Sequence, residues 1–330
     1  MKALTIQRGH YRGIFAFCAI IALGALAPAV ASAQVYPNKP IKMLLPYSPG
    51  GSGDTFARMV AEVASKKLGQ PIIIEPKLGA GGSIAAELLA KSPPDGYTFS
   101  MIAAGILTIN PHIYKSLRYD PETSLAPLLI GVRMPLAVVV NNQVPAKNIK
   151  ELIAYAKKNP GKLTYGSAGT GSSQHLAGLL FQSSADIDIT HVPYKGGAAA
   201  MVDLLGGHVS MQFVHLPSAL NAEAPEKIRM LAVTSTERNP ILPDVPTVAE
   251  AGLPGYDYND WFGFVLPPGV PEDVAKKLQA ALEVGLRESQ EYFLKNGMVL
   301  AALGPKDMRQ IARKESSKWG ELLRESSGKQ

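Results

Sequence analysis

Along most of this chain, short apolar runs rich in β-branched residues alternate with longer segments whose apolar positions recur at helical spacing. Residues 41–45, 72–75, 98–102 and 136–141 read as strands, and residues 54–68 and 83–91 between them as helices. In the first helix Phe56, Val60 and Val63 fall at i, i+4 and i+7, the stripe that one face of a helix buries, and Gly69 supplies a stop. After Val144-Pro145 the alternation starts afresh. It gives a helix over 149–158, a strand over 163–166, a helix over 173–183, a strand over 189–192, a helix over 197–205, and strands over 209–214 and 228–234. Repeated β-α-β alternation predicts a mostly parallel sheet covered by helices on both faces, here in two halves. A proline-rich stretch at 239–246 and Gly252-Leu253-Pro254-Gly255 interrupt the pattern. A strand over 256–266 then returns to the first half, and amphipathic helices over 271–286 and 305–322 follow, the second carrying Trp319.

One junction occurs in both halves. Tyr47-Ser48-Pro49-Gly50-Gly51-Ser52-Gly53-Asp54 lies between the first strand and the first helix. Tyr165-Gly166-Ser167-Ala168-Gly169-Thr170-Gly171-Ser172-Ser173 holds the equivalent place in the second half. A glycine-rich turn there presents unpaired backbone N–H groups beside the positive end of the helix dipole, a geometry that suits an anion. Hydroxyls at Ser48, Ser52, Ser167, Thr170 and Ser172 add neutral donors. Such donors hold a carboxylate by hydrogen bonds worth roughly 1.5–3 kcal/mol each when dry, without a permanent counter-charge to hinder release. Two loops of this kind predict a clamp for a small, negatively charged molecule.

Composition narrows the setting. Residues 1–33 have the form of a cleaved secretory signal: Lys2, Arg8 and Arg12, then an apolar run from Gly13 to Leu26, then Ala31-Ser32-Ala33. Without them the formal charge falls from +6 to +3, since three bases and no acid are lost. No cluster of lysine and arginine of the nucleic-acid-binding kind remains. The only cysteine, Cys18, lies inside that segment, so a disulfide, a thiol nucleophile and a thiolate metal site are all excluded from the rest. The expectation is a secreted two-domain protein with no membrane-length apolar span in its mature part.

Catalytic patterns fail at defined positions. The second loop imitates a phosphate-binding loop but lacks the phosphate lysine, and its Gly169-Thr170-Gly171 start of a dinucleotide fingerprint is followed by Gln174 where glycine or alanine belongs. Gly81-Gly82-Ser83-Ile84-Ala85 misses the last glycine of a nucleophile elbow. His112, His175, His191, His208 and His215 show no metal-site spacing. No catalytic residue, metal or cofactor is expected.

The chain resembles the solute-binding receptors of tripartite tricarboxylate transporters, also called the Bug family. The residues that carry the resemblance are Pro46-Tyr47-Ser48-Pro49-Gly50-Gly51, Gly79-Ala80-Gly81-Gly82, Pro94-Asp95-Gly96-Tyr97 and Asn110-Pro111-His112. They continue with Ser167-Ala168-Gly169-Thr170-Gly171-Ser172, His191-Val192-Pro193-Tyr194-Lys195-Gly196, Pro243-Asp244-Val245-Pro246-Thr247 and Trp261-Phe262-Gly263. The resemblance spans nearly all of the mature chain. It implies a type II periplasmic binding protein fold: two α/β, Rossmann-like lobes joined by crossing hinge strands, with the ligand cleft between them. On this basis one lobe comprises residues 34–136 plus 258–330 and the other residues 137–257. The resemblance further implies a carboxylate held by the first loop of each lobe and delivery to a permease with one large and one small membrane subunit. The receptor itself is expected to be a periplasmic monomer. Family members commonly carry asparagine where Pro76 stands, and an acidic residue near the positions of Ser210 and His215; these departures bear on the ligand rather than on the class.

The candidate ligand-binding residues are therefore Tyr47, Ser48, Gly50, Gly51 and Ser52 of the first loop, Ala80 and Gly81 of the following glycine turn, and Ser167, Ala168, Gly169, Thr170, Gly171 and Ser172 of the second loop. Asp54 reads as a helix N-cap. His175 and His191 either face the pocket or pack behind it. Phe56 and Met134 serve as an apolar wall or as core. Arg133, beside the crossing strand, is either a solvated charge or the bidentate partner of a second carboxylate. Two other roles are consistent with the sequence: a periplasmic sensor that presents its ligand to a membrane kinase, and, less readily, a secreted hydrolase.

Overall fold

The longest strand, Ala126–Asn141, reads APLLIGVRMPLAVVVN, apolar at nearly every position rather than at every second one. That pattern belongs to a strand covered on both faces, and from Leu128 to Asn141 every residue except Arg133 is buried. The computed structural model in which it is seen describes residues 36–47, 49–50, 52–194, 196–222 and 224–327. The expected signal segment, 1–33, lies outside the described residues. Among the described residues no helix is long and apolar enough to cross a membrane.

The strands are β1 (Ile41–Leu45), β2 (Ile72–Pro76), β3 (Thr98–Ala103), β4 (Ala126–Asn141), β5 (Thr164–Ser167), β6 (Thr190–Pro193), β7 (Met211–His215), β8 (Ile228–Val233), β9 (Asn259–Leu266) and β10 (Val299–Leu303). The helices are α1 (Ser52–Leu68), α2 (Ser83–Ala90), α3 (Ala104–Thr108), α4 (Asn110–Ile113), α5 (Ile149–Lys158), α6 (Ser173–Ala185), α7 (Gly197–Gly206), α8 (Leu216–Leu220), α9 (Glu272–Glu288), α10 (Gln290–Lys295) and α11 (Pro305–Ser327).

β4 belongs to two sheets. Its first part pairs antiparallel with β9, from Ala126 opposite Leu266 to Pro135 opposite Asn259, and with β10. Its second part, from Leu136, pairs antiparallel with β7 and β8. One sheet therefore runs β2-β1-β3-β9-β4-β10 and the other β8-β4-β7-β5-β6. Pro135 stands at the changeover. Proline has no N–H to give to a ladder, and the next residue turns to a new partner: the Leu136 N–H donates to Thr234 Oγ1 at 2.7 Å, and the Leu136 carbonyl accepts the Thr234 N–H at 2.8 Å.

The expectation of a mostly parallel arrangement needs correction. β1 with β2 and β3, and β5 with β6 and β7, are parallel, as β-α-β units require. Every pairing made by β4 and β9 is antiparallel, because these strands run back between the two units. β4 also begins ten residues before the expected 136, and β10 with the short helices α3, α4, α8 and α10 was not expected. Each of these helices has six residues or fewer, too short to display a period.

The cores follow the sheets. Leu44, Ile102, Ile130, Trp261 and Val265 pack together under the first, and Leu136, Tyr165, Leu176, Phe181 and Phe213 under the second. α11 joins both: Met308 and Ala312 lie in the first core, Trp319 and Leu322 in the second. The described residues from 37 to 327 belong to one compact unit.

Candidate functional site

The first loop leaves β1 at Leu45 and enters α1 at Ser52. Asp54 lies inside the first turn of α1 rather than at its N-cap, and its carboxylate reaches back to accept the Gly50 N–H at 3.0 Å and the Arg58 Nε–H at 2.9 Å. Arg58 first, then the Gly50 N–H, hold this carboxyl below the usual carboxylate range against the opposing effect of burial. Gly53 keeps the helix start bare: a Cβ there would lie 2.6 Å from Tyr47 Cδ2, so only glycine lets the Tyr47 ring lie against it. That ring also packs on Phe262, with centroids 5.7 Å apart. Desolvation, and secondarily the charge of Asp260, push the Tyr47 phenol far above its ordinary value, so it stays a neutral donor.

The second loop follows β5. Ser172 caps α6, its Oγ accepting the His175 N–H at 3.3 Å and donating to the Gly169 carbonyl at 2.7 Å. Ser167, fully buried, accepts the Gly169 N–H at 3.0 Å and meets His191 Nε2 at 2.6 Å. His175 Nδ1 accepts the Gly171 N–H at 3.2 Å. The two imidazoles lie 4.1 Å apart by ring centroid, against Tyr165. Burial, then the neighbouring His191, lowers the His175 pKa to about 4, and burial lowers that of His191 too.

A cleft of about 450 Å³ lies where these loops face each other. Pro46, Tyr47 and Ser52 line one side together with Gly79, Gly81 and Gly82 of the next glycine turn. Asn110 steadies that turn, its Nδ2 donating to the Gly81 carbonyl at 3.1 Å and to Ser83 Oγ at 3.0 Å. Ala168, Thr170, Gly171, Ser172 and Ser173 line the other side. Ile106, Ile109, Ile113 and Tyr114 form an apolar wall with one phenol, and His215, Tyr258, Asp260 and Phe262 close the floor. Burial first, then Asp260, keeps the Tyr258 phenol protonated. The described lining contains hydroxyls, an amide and backbone, one histidine and one aspartate, but no lysine or arginine. Such a cleft can surround a small anion with neutral donors.

Of the residues expected at the ligand, Tyr47, Ser52, Gly81, Ala168, Thr170, Gly171 and Ser172 are brought together in this cleft. Ser48 and Gly51 lie outside the described residues. Gly50, Ala80, Ser167 and Gly169 are not in the lining; Ser167 and Gly169 bond to each other beneath it. Phe56 is core, fully buried among Phe262, Phe264 and Phe293 at 5.3–5.6 Å, and it reaches the cleft only by backing Phe262. Met134 is buried and likewise absent from the lining. His175 and His191 stand behind the second loop, not in front of it.

Of the two readings kept for Arg133, the solvated charge is the one its exposed position fits. The register of β4 sets it opposite Trp261 and Val299, exposed and near Glu315 of α11, away from the cleft. Asn110, Tyr114, Ser173, His215, Tyr258, Asp260 and Phe262 were not expected at the site. Asn110-Pro111-His112 and Trp261-Phe262-Gly263 had marked two of these places as motifs without assigning them a role. Two roomier hollows, about 840 and 880 Å³, flank α6 beside His175 and His191, but neither brings the two glycine loops together.

Known proteins resemble this chain over most of its length. Residues 56–327 match the model of the family described as the tripartite tricarboxylate transporter family receptor. Protein BugT of Bordetella pertussis is 33% identical over 320 residues, covering 96% of each chain. The structure of Rpa4515 from R. palustris with adipate superposes with a TM-score of 0.78 at 33% identity, covering 88% of this chain and 97% of that one. MatC from Rhodopseudomonas palustris with bound malate gives a TM-score of 0.74 at 30% identity, covering 87% of this chain and all of the other.

Proposed function

Because the chain belongs to the tripartite tricarboxylate transporter receptor family, we propose that it captures a small organic carboxylate in the periplasm and delivers it to a tripartite membrane permease of one large and one small subunit. The observation that carries this reading is the cleft itself. Two glycine loops at helix starts face one another across it, with hydroxyl and amide donors and no lysine or arginine in the described lining. Neutral donors of this kind hold an anion and also release it. Structural relatives with bound adipate and malate support the same ligand class. A cleft of about 450 Å³ has room for a small dicarboxylate, and Arg133 is not in its lining.

On this reading the two sheets mark two lobes, residues 34–136 with 258–330 and residues 137–257, which close on the ligand about β4 and β9. A ligand that touches both loops binds the closed arrangement better and draws the population toward it. The test is a thermal-shift screen of mono-, di- and tricarboxylates, with malate and adipate included. A ligand present at a hundred times its Kd adds about 2.7 kcal/mol to stability, so a binder raises the Tm clearly and matched neutral amides do not. A panel in which no carboxylate moves the Tm sinks the reading.

A further inference from the structure

We propose that His215 takes up a proton when the anion binds, so that the receptor captures a carboxylate together with a proton. This inference rests on the carboxylate reading above and concerns the floor of the same cleft. Apart from phenols, the described lining holds two side chains that can carry a full charge, His215 at the end of β7 and Asp260 near the start of β9. They come from different sheets and meet at the floor: His215 Nε2 lies 3.4 Å from Asp260 Oδ2 and 3.5 Å from Ser173 Oγ. The other carboxylate oxygen of Asp260 accepts the Trp261 N–H at 2.9 Å, which fixes the group in place.

With a neutral imidazole, this floor presents one negative charge to an incoming anion and opposes it. With an imidazolium, the pair is neutral overall and adds a charged donor to the site. An anion a few ångströms from a histidine favours its charged form, and by linkage the charged form favours the anion.

Among the described residues, the elements packed against His215 supply no substitute cation. β7 and α8, MQFVH and LPSAL, carry no other titratable group. β4 places Leu136 opposite His215. α6 contributes Ser173, and the chain entering β9 contributes Tyr258 and Asp260. From the first loop comes Tyr47, whose phenol feels Asp260. Beyond Asp260 lies Glu315 of α11, which feels Asp260, Arg133 and Lys318. His175, with its pKa lowered to about 4, remains neutral across the range in which an ordinary histidine changes charge.

The experiment is isothermal titration calorimetry of the full chain with malate, adipate and whichever carboxylate of the screen gives the largest Tm shift. It is run at pH 7 in phosphate and in Tris, whose different ionisation enthalpies report protons taken up. The wild type is expected to absorb up to one proton per ligand, and its affinity to rise by as much as about tenfold per unit as pH falls from 8 to 6. His215→Gln is expected to show neither effect. Asp260→Asn is expected to bind more tightly than the wild type at pH 8 and to take up less proton, because the anion is then repelled less and the imidazole is harder to charge. The histidine ring resonances, followed by NMR with and without ligand, report the same event in the unaltered protein. A carboxylate that binds the wild type with no proton uptake and a flat pH profile, or a pH dependence that survives His215→Gln, overturns this inference and leaves the receptor reading standing. If no carboxylate binds, both fall together.

Discussion

His175 is kept neutral by its surroundings. Its Nδ1 accepts the Gly171 N–H, its ring lies 4.1 Å from that of His191 by centroid and parallel to that of Tyr165, and burial together with His191 brings its pKa from 6.5 to about 4. Between those values an unfolded chain binds a proton that the folded chain refuses, so stability rises with pH across this window. The contribution is complete above pH 6.5 and is lost as the pH falls toward 4, an amount on the order of 3 kcal/mol. Urea unfolding at pH 7 and pH 4.5 checks it: the wild type is expected to lose more stability than His175→Gln over that interval, and equal losses would rule His175 out as a source. From the sequence, His175 and His191 were expected either to face the pocket or to pack behind it. Which side of the loop they occupy depends on a hydrogen bond to Gly171 and a contact with Tyr165, neither of which has a signature in sequence spacing.

Among the elements, β4 shows both what was legible and what was not. The strand 41–45 and the helix 149–158 fall where periodicity put them, since each has a clear pattern and a stop beside it. The first part of β4 carries Pro127 and Pro135, residues that ordinarily interrupt a strand, and the strand passes through both. Asp260 and His215 meet only because β4 sets the register of β9 on one part and β7 on the other, a long-range fact that local pattern cannot carry. At the changeover, the buried Leu136 N–H depends on the hydroxyl of Thr234, itself fully buried. Thr234→Val keeps the shape and removes the acceptor, leaving a buried donor without its partner. It is expected to cost about 1–3 kcal/mol, read as a lower urea midpoint with an unchanged m value, while Thr234→Ser restores most of the loss.

For the molecule as a whole, α11 couples the two cores. Met308 and Ala312 sit in one, Trp319 and Leu322 in the other, and Trp319 packs against Tyr258 with centroids 5.4 Å apart, directly behind the cleft floor. Truncating a large buried aromatic costs about 3–5 kcal/mol. Trp319→Ala is therefore expected to lower the midpoint strongly. Because the helix and β4 both span the sheets, unfolding of the wild type followed by Tyr258-side and Phe264-side probes is expected to coincide, and the variant is expected to separate the two transitions. Coincident transitions in the variant would show that β4 alone suffices to couple the halves.

The shared strand also sets an order of assembly. β4 is made early, but its partners β9 and β10 lie at Asn259–Leu266 and Val299–Leu303, close to the end of the chain. As the chain emerges from the ribosome, the first sheet cannot close until β9 and β10 have followed the strands of the second. β1 to β3 wait with an open edge while the second sheet, whose strands run consecutively from β4 to β8, can already form. Long-range pairings of this kind fold slowly.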